Sequence, residues 1–306
     1  MKHFLSLLDY TAQEIDHLLK LAIRLKKEFR AGGNKPILQG KSLAMLFQKP
    51  SLRTRTSFEM GMVHLGGYAF SLAPAEVKMG ERESPADVAR VLSGYVSAVM
   101  GRVLRHEDIV ELAEYASIPV INGLSDHNHP VQAMTDLLTI LECKGTLKET
   151  RVVYVGDGNN VARSLMFGAM LTGVDFVIAT PSGYALSEED FDQADQIKSH
   201  GARLTTFIDP IQAVQQADIV YTDVWTSMGQ EEETAERRKV FPPYQINQAL
   251  LQHAKPNVTV MHCLPAHRGE EIAADIADGP QSVIFHQAEN RLHAQKAILA
   301  HLLHET

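Results

Sequence analysis

The stretch SLAMLFQKPSLRTR, residues 42–55, decides how this chain folds. Its first part, Ser42–Phe47, is a short and almost wholly apolar run, which is typical of a buried β-strand. Ser51 follows soon after and can accept a hydrogen bond from an early backbone N–H of a helix that begins there. A buried strand that leads directly into a helix predicts a parallel sheet covered by helices.

The same alternation of strands and helices extends in both directions from this stretch. Apolar runs predict further strands at residues 68–72, 96–100, 119–122, 151–156, 174–179, 204–207, 219–222, 258–261 and 283–285. Caps and helical spacing predict helices that begin near Thr11, Ser51, Ser84, His129, Asn159, Ser187 and Ala288. We therefore expect an α/β protein of two domains, each a parallel sheet flanked by helices: residues 1–140 with the C-terminal helix 288–306, and residues 141–287.

The composition disfavours several classes of protein. The 306 residues are 45% hydrophobic and 22% charged, with a formal net charge of −8, so a nucleic-acid partner is not expected. No apolar run approaches the roughly 20 residues that span a bilayer, so no membrane partner is expected either. With only two cysteines, Cys143 and Cys263, a disulfide scaffold is implausible and a cytoplasmic location is expected.

The segment Ser51–Arg55 has the features of a phosphate site. A helix that begins here would present free backbone N–H groups and the positive end of its dipole to an anion. The hydroxyls of Ser51 and Thr54 add donors, and the planar guanidinium of Arg53 matches phosphate oxygens. The alternative is a helix cap followed by solvated arginines, but the position after a strand, where α/β sheets bind ligands, favours a site.

A second polar segment, His129-Pro130-Val131-Gln132, lies at another predicted helix start. His129 and Gln132 are three residues apart and share one helix face, so an imidazole and an amide could hydrogen-bond one small polarised group. Arg102 follows the 96–100 strand and could join them at the sheet edge. The alternative is a helix cap with a surface histidine.

The segment Gly156–Asn160 lies between a strand and a helix, as a dinucleotide-binding loop does. Two features contradict a nicotinamide site: Val161 replaces the third glycine, and the next strand ends without an acidic residue. Asn159 and Asn160 could instead bind the polar end of a small ligand. The charged runs 230–233 and 237–239 are interpreted as parts of a solvated, mobile loop.

Two further polar segments, 223–229 and 262–265, could hold an amino acid and its reactive amine. Cysteines such as Cys143 and Cys263 are, taken alone, most often small buried residues. Five residues could be drawn as zinc ligands: His127, His129, His262, Cys263 and His267. The zinc-ligand spacings CxxC and HxxxH are absent, however, so we expect no metal.

These segments together resemble the motifs of the aspartate/ornithine carbamoyltransferase family over nearly the whole chain. Residues 51–55 correspond to the family motif S-T-R-T-R, with Leu52 in place of the usual threonine. The H-P-x-Q motif is intact at 129–132, with Val131 where the ornithine branch commonly has cysteine. The aspartate branch would have H-P-L-P where this chain has H-C-L-P, so the resemblance is to the ornithine branch. The other segments that match are residues 156–160, 223–229, 262–269 and 288–291.

The resemblance implies which residues bind each substrate. Those for carbamoyl phosphate are Ser51, Leu52 (through its backbone N–H), Arg53, Thr54, Arg102, His129 and Gln132, with Cys263, Leu264 and Arg291 closing over it. Those for ornithine are Asn160, Asp223, Ser227 and Met228. The family also places a loop of a neighbouring subunit at the site, which here is the loop 76–84 with Lys78. A homotrimer or an assembly of trimers is implied.

The implied reaction transfers the carbamoyl group of carbamoyl phosphate to the δ-amine of L-ornithine, giving L-citrulline and phosphate, a step of arginine biosynthesis. Arg102, His129 and Gln132 would polarise the carbamoyl carbonyl. Asp223 and Cys263 would orient the amine and assist loss of its proton. No metal or organic cofactor is implied.

Three alternatives remain open. The first is a carbamoyltransferase for putrescine or an acylated ornithine. Segment 223–229 disfavours putrescine, which lacks an α-amino and a carboxylate group, and the intact segment 262–265 disfavours an acylated ornithine. The second alternative is a nicotinamide dehydrogenase, and the third is a non-catalytic binding protein of the same fold.

Overall fold

The computed structural model describes residues 2–227 and 230–304, and the chain divides into two compact units. The first unit comprises Met1–Leu138 and Glu289–Thr306, and the second comprises Thr139–Ala288. Each unit contains one parallel sheet with helices around it. The predicted α/β fold class is confirmed.

The first unit is built on a four-stranded parallel sheet in the order β2-β1-β3-β4. Its strands are β1 Ser42–Phe47, β2 Tyr68–Leu72, β3 Ala98–Arg102 and β4 Val120–Leu124. The central strands β1 and β3 are buried along most of their length, which explains their continuous apolar sequences. The strand order reverses between β1 and β3, so their carboxyl ends border the crevice where such sheets bind ligands.

Several helices of the first unit begin at capping residues that the sequence marks. Thr11 and Ser84 each accept a hydrogen bond from the N–H three residues later, and Pro85 occupies the first turn of its helix. The helices are α1 Ala12–Arg30, α2 Leu52–His64, α3 Pro74–Val77, α4 Pro85–Ser93, α5 His106–Tyr115 and α6 Pro130–Lys144.

The second unit is built on a five-stranded parallel sheet in the order β7-β6-β5-β8-β9. Its strands are β5 Arg151–Val155, β6 Asp175–Ala179, β7 Arg203–Phe207, β8 Ile219–Thr222 and β9 Thr259–His262. The order reverses between β5 and β8, so their carboxyl ends border the second ligand-binding crevice. The polar residues that follow both strands therefore belong to one edge of this sheet.

The helices of the second unit cover its sheet, and one more helix ends the chain. They are α7 Asn160–Thr172, α8 Glu188–Gln196, α9 Pro210–Ala213, α10 Thr234–Val240, α11 Gln248–Leu251 and α12 Ala274–Ala277, followed by α13 Ile284–Leu303. None of the helices within the described ranges is long and apolar enough to cross a membrane.

The prediction of a strand at residues 283–285 is wrong. Ser282 forms a single β-bridge with Val260, and the N–H of Val283 bonds to the Val260 carbonyl. Helix α13 then begins at Ile284, and the N–H of Gln287 bonds back to the carbonyl of Val283. A three-residue apolar run does not distinguish a strand from the buried first turn of a helix.

Helix α8 follows the predicted start at Ser187 and ends at Gln196. Helix α5 is one of the helices that were not predicted. Its N-cap, Arg105, makes no side-chain hydrogen bond to the helix start, so the usual sequence mark of a helix beginning is missing there.

Candidate active site

The start of α2 forms the first part of the candidate site. Ser51 has an extended backbone, with φ −153° and ψ 109°, and its hydroxyl accepts a hydrogen bond from the N–H of Thr54. The first turn of α2 holds no acidic residue, so no carboxylate there competes for its free N–H groups. This helix start is therefore suited to an anion.

The residues that follow Ser51 differ in what they can offer to an anion. Leu52 is 79% exposed, and its side chain has no donor, so only its backbone N–H can serve. Arg53 is half-buried. Arg55 is exposed and its Nε lies 2.9 Å from Glu59 Oε1, one helical turn away. Of the two arginines, Arg53 is the candidate ligand.

His129 lies buried at the start of α6, close to three arginines. Burial lowers the pKa of its imidazole well below the usual range, and the positive charges of Arg291, Arg102 and Arg53 lower it further. The ring is therefore neutral, and one of its nitrogens carries a hydrogen that can be donated while the other can accept.

Arg291 joins three helices of the first unit. From α13, its Nη1 donates to Gln132 Oε1 on α6 over 2.7 Å, and its Nη2 donates to Thr54 Oγ1 on α2 over 2.8 Å. All three residues are buried, so these charge-assisted bonds are little weakened by solvent. We call Ser51, Arg53, Thr54, Arg102, His129, Gln132 and Arg291 the first polar cluster.

The amide of Gln132 has a second buried partner. Its Nε2 donates to Asp136 Oδ1 over 2.8 Å, and Asp136 lies four residues later on the same face of α6. Asp136 and Gln132 are both fully buried. Asp136 was not predicted as a site residue, although its spacing from Gln132 is a signal that could have identified it.

Arg102 ends β3 at the carboxyl edge of the first sheet. It pairs in register with Phe47, the last residue of β1, and its carbonyl accepts a hydrogen bond from the N–H of Gln48 over 2.9 Å. The side chain is half-buried, and its charge acts on His129. The structure therefore brings Arg102 to the first polar cluster.

Lys78 lies in the loop between α3 and α4. It is exposed, with a left-handed backbone at φ 47°, and its carbonyl accepts hydrogen bonds from the N–H groups of Glu81 and Arg82. It lines a cavity of about 250 Å³ with Phe47, Gln48, Met79 and Leu104 among others. Among the described residues, that lining includes no member of the first polar cluster.

The second unit contains another buried cluster, centred on Asp223. The thiol of Cys263 donates to Asp223 Oδ1 over 3.0 Å, and Asn159 Nδ2 donates to Asp223 Oδ2 over 3.0 Å. Asn159 Nδ2 also lies 3.0 Å from Ser227 Oγ. We call Asp223, Cys263, Asn159 and Ser227 the second polar cluster.

Asn159 holds this cluster to the start of α7. Its Oδ1 accepts hydrogen bonds from the N–H groups of Val161 and Ala162, each over 3.0 Å, so it is the cap of the helix as well as a neighbour of Asp223. The phenol of Tyr154, fully buried nearby, also donates to it over 3.3 Å.

The remaining residues predicted for ornithine are placed differently. Asn160 is the first residue of α7 and half-buried, and its carbonyl accepts a bond from the hydroxyl of Ser164. The prediction for Met228 lies outside the described residues.

Leu264 lies in a turn that the neighbouring buried side chains hold in place. Its backbone has φ 59°, it precedes a cis proline, and its N–H donates to His262 Nδ1 over 2.9 Å. The other ring nitrogen of His262 lies 3.1 Å from Glu271 Oε1, and both side chains are fully buried. Glu271 thus supports the turn that carries Cys263 and Leu264.

Arg237 corrects the interpretation of residues 237–239 as a solvated charge run. It is 3% exposed, and its Nη1 lies 2.9 Å from Asp157 Oδ1 and 2.7 Å from the carbonyl of Trp225. Its guanidinium lies over the ring of Tyr184, and its Nε donates to Glu233. Burial raises the pKa of Asp157 to about 6, an effect that Arg237 partly offsets.

Arg237 therefore ties two segments of the second polar cluster together. Asp157 precedes Asn159, and Trp225 lies between Asp223 and Ser227. Nothing in the local sequence separates Arg237 from its exposed neighbour Arg238, so sequence reasoning had no signal for its burial.

Among the described residues of the second unit, two groups have donor atoms within 4.8 Å of one another, as a metal ion would require: Asp223, His262 and Cys263, and His267, Glu270 and Glu271. Existing partners compete for both groups. The Cys263 thiol bonds to Asp223, and Arg238 donates to Glu270 over 2.6 Å. Neither group changes the expectation that the site works without a metal.

Models of one protein family match both halves of the chain. The model described as the carbamoyl-P binding domain of aspartate/ornithine carbamoyltransferase matches residues 2–142. The model described as the Asp/Orn binding domain of aspartate/ornithine carbamoyltransferase matches residues 148–302.

Known proteins resemble the chain over nearly its whole length. The ornithine carbamoyltransferase of Pyrococcus abyssi is 54% identical over 303 residues, covering 99% of this chain and 96% of the relative. The anabolic ornithine carbamoyltransferase of Pyrococcus furiosus is 54% identical over 300 residues, covering 98% of this chain and 95% of the relative.

Solved structures also resemble the chain over nearly its whole length. The structure of ornithine carbamoyltransferase from Pyrococcus furiosus is similar with a TM-score of 0.96 and 53% identity, covering 99% of this chain and 97% of that chain. The anabolic ornithine carbamoyltransferase of Campylobacter jejuni is similar with a TM-score of 0.93 and 38% identity, covering 100% of both chains.

Proposed function

This chain belongs to the aspartate/ornithine carbamoyltransferase family, and we propose that it transfers the carbamoyl group of carbamoyl phosphate to the δ-amine of L-ornithine, giving L-citrulline and phosphate. The names of the relatives support this activity. The anabolic relative also supports a role in arginine biosynthesis.

The observation that carries the proposal is the bonding of Asp223 to Cys263 and Asn159. A buried carboxylate attracts a cationic amine and repels a second carboxylate, so this cluster suits ornithine better than aspartate as the acceptor. Ser227, whose hydroxyl lies 3.0 Å from Asn159 Nδ2, adds a polar group for the amino-acid end of the substrate. We assign Asn160 and Met228 to the same substrate on the family resemblance alone.

The first polar cluster suits carbamoyl phosphate. Arg53 and the backbone N–H groups at the start of α2 supply positive charge for the phosphate, with Leu52 contributing its N–H. Neutral His129, with Arg102, can donate to the carbamoyl oxygen as negative charge develops on it. The resemblance adds Cys263 and Leu264 as further contacts to this substrate.

The amine must lose its proton before it attacks the carbamoyl carbon. By analogy with lysine, the free amine has a pKa of about 10, so most of it is cationic at neutral pH. In the proposed mechanism Asp223 orients the cation, and Asp223 and Cys263 assist departure of the proton. The neutral amine then forms the C–N bond, the bond from the carbamoyl carbon to phosphate oxygen breaks, and the proton that the new C–N nitrogen loses is taken up by the departing phosphate.

We also propose a cytoplasmic homotrimer, or an assembly of trimers, in which Lys78 of one subunit serves the phosphate site of the next. The exposure of Lys78 in the loop before α4 supports a role toward another subunit. Neither Cys143 nor Cys263 is in a disulfide bond, in keeping with a reducing compartment.

An acceptor assay tests the proposed activity. Purified protein is incubated with carbamoyl phosphate and one of ornithine, acetylornithine, putrescine or aspartate, and the carbamoylated product is quantified. We expect citrulline from ornithine and little product from the other three acceptors. A product from another acceptor alone would overturn the choice of ornithine, and binding of carbamoyl phosphate with no product from any would identify a binding protein.

A further inference from the structure

We propose that Asp136 is a positioning residue that fixes the orientation of the Gln132 amide in the first polar cluster. Its Oδ1 accepts a hydrogen bond from Gln132 Nε2 over 2.8 Å, and both side chains are fully buried. The inference rests on the proposed function, since it concerns how carbamoyl phosphate meets Gln132.

Two ionic partners determine which way the amide faces. The guanidinium of Arg291 can only donate, so the atom 2.7 Å from its Nη1 must be the amide oxygen of Gln132. An ionised Asp136 can only accept, so the atom 2.8 Å from its Oδ1 must be the amide nitrogen. Reversal of the amide would place two donors together at Arg291 and two acceptors together at Asp136.

Arg291 alone would not fix the orientation of the Gln132 amide. It also bonds to Thr54 Oγ1 over 2.8 Å, so its position is shared between α2 and α6. Without a fixed acceptor for Nε2, Gln132 could keep the bond to Arg291 while its amide plane turned. The carboxylate one turn later on α6 removes that freedom, because it belongs to the same rigid helix as Gln132.

Because Asp136 is acidic, a role in positioning Gln132 can be distinguished from a role in binding the anionic substrate. The cluster contains three guanidinium groups, of Arg53, Arg102 and Arg291, which attract the anionic substrate. Neutralising Asp136 removes a negative charge behind Gln132 and therefore does not weaken that attraction. A positioning role predicts slower turnover with undiminished phosphate binding, whereas damage to the fold would weaken both.

The test is a double-mutant cycle in the full-length protein. Asp136→Ala removes the carboxylate and its charge, and Asp136→Glu keeps the charge but moves the carboxylate, which gives a second variant should one fail to fold. Each is made with Gln132 intact and in a Gln132→Ala background. Circular dichroism and thermal melting report folding, calorimetry with inorganic phosphate reports binding, and citrulline formation reports kcat.

Thr135→Val is the matched control. Thr135 is the neighbouring fully buried residue of α6, and its hydroxyl donates to the carbonyl of Val131 over 2.8 Å. Its replacement removes a buried polar side-chain group from the same helical turn without touching the pair of Gln132 and Asp136. We expect Thr135→Val to retain the wild-type kcat to within about twofold.

We expect each Asp136 variant to lower kcat about tenfold or more when Gln132 is present, the size of a lost hydrogen bond to a charged group. In the Gln132→Ala background the further loss should be less than about twofold, since Asp136 then has no amide to position. Phosphate affinity should stay within about twofold of wild type or rise.

Equal losses of kcat in both backgrounds, or a loss no greater than that of Thr135→Val, would overturn the positioning role. A parallel fall in phosphate affinity would also overturn it. The activity of the wild-type protein distinguishes failure of this inference from failure of the proposed function. If the wild type forms no citrulline, the proposed function fails, and if it is active without coupling between Asp136 and Gln132, only this inference fails.

Discussion

The thiol of Cys263 donates to the carboxylate of Asp223 over 3.0 Å, and both residues are more than nine-tenths buried. If this pair handles the substrate amine, Cys263→Ser and Asp223→Asn should each lower kcat/KM for ornithine by roughly 100- to 10,000-fold, as loss of a proton-transfer group does. Both changes should impair turnover more than they impair carbamoyl phosphate binding. Steady-state kinetics with each substrate varied in turn measures both effects.

Cys143→Ser is the control for this prediction, because Cys143 is the other cysteine and is exposed. It should leave the kinetics unchanged. A Cys263→Ser protein whose kcat and ornithine KM match the wild type over roughly pH 6–9 would show that Cys263 only packs the site.

The two arginines of residues 51–55 provide a matched pair of variants. Arg53 acts on His129 electrostatically, whereas Arg55 is paired with Glu59 and exposed. Arg53→Ala should weaken carbamoyl phosphate binding by about 1.5–3 kcal/mol, the usual range for hydrogen bonds to charged groups, and Arg55→Ala should weaken it far less. Titration calorimetry measures both affinities, and similar losses in the two variants would remove Arg53 from the proposed site.

The pair of Asp157 and Arg237 predicts a pH dependence of ornithine binding. Burial raises the pKa of Asp157 to about 6, so the carboxylate takes up a proton as pH falls through that value and its ion pair with Arg237 is lost. The segment held by Arg237 is then less constrained, and the ornithine KM should rise. Kinetics at roughly pH 7.5 and 5 measures the change.

Asp157→Asn separates this effect from protonation of the substrate. The variant lacks the ion pair at every pH, so its ornithine KM should exceed that of the wild type at neutral pH and converge with it at roughly pH 5. A constant ratio of the two KM values across this range would contradict the prediction.

Lys296 predicts a pH dependence of stability. It is fully buried, its Nζ donates to Asn34 Oδ1 over 2.7 Å, and burial lowers its pKa to about 8. An unfolded lysine titrates near 10.4. Between these values the unfolded chain binds a proton that the folded chain does not, so this group raises the free energy of unfolding as pH increases from about 8 to about 10.

The Lys296→Met variant has no amine at this position that could gain or lose a proton. The wild type should therefore gain roughly 1–3 kcal/mol relative to the variant between about pH 7.5 and pH 9.5, as measured by urea unfolding. Lys20→Met, which replaces an exposed lysine paired with Asp16, should show no such difference. A pH-independent gap between wild type and Lys296→Met would contradict the lowered pKa.

Subunit mixing tests the proposed role of Lys78. Inactive Arg53→Ala chains and inactive Lys78→Glu chains are dissociated and reassembled together. Interfaces that pair a normal Arg53 with a normal Lys78 should restore part of the activity if sites are shared between subunits. Verified mixed trimers without recovery, or a fully active monomer, would defeat the shared-site proposal.

The fold was largely predictable because its signals are local. The run Ser42–Phe47 became β1, and the Ser51 cap began α2. Short segments carry less information, which is why residues 283–285 were predicted as a strand although α13 begins at Ile284. Their apolar side chains fit a buried strand and a buried helix turn equally well.

The candidate site was predictable only in part, because a sequence motif names residues without their partners. The resemblance implied Arg291 and Gln132, yet the fully buried bond between Gln132 and Asp136 comes from the structure. The burial of Arg237 was missed, since its surroundings depend on Asp157 and Trp225, which lie far from it or outside its own helix. Long-range contacts of this kind leave no periodic pattern in the sequence.

The bond between Thr54 and Arg291 joins two residues that the ribosome adds at different times. The two residues are 237 positions apart, so at roughly 5–20 residues per second a ribosome adds Arg291 about 10–50 s after Thr54. During that interval the first unit lacks α13, the helix whose Arg291 bonds to both α2 and α6. We therefore expect a nascent chain to lack a finished phosphate site until α13 has been added.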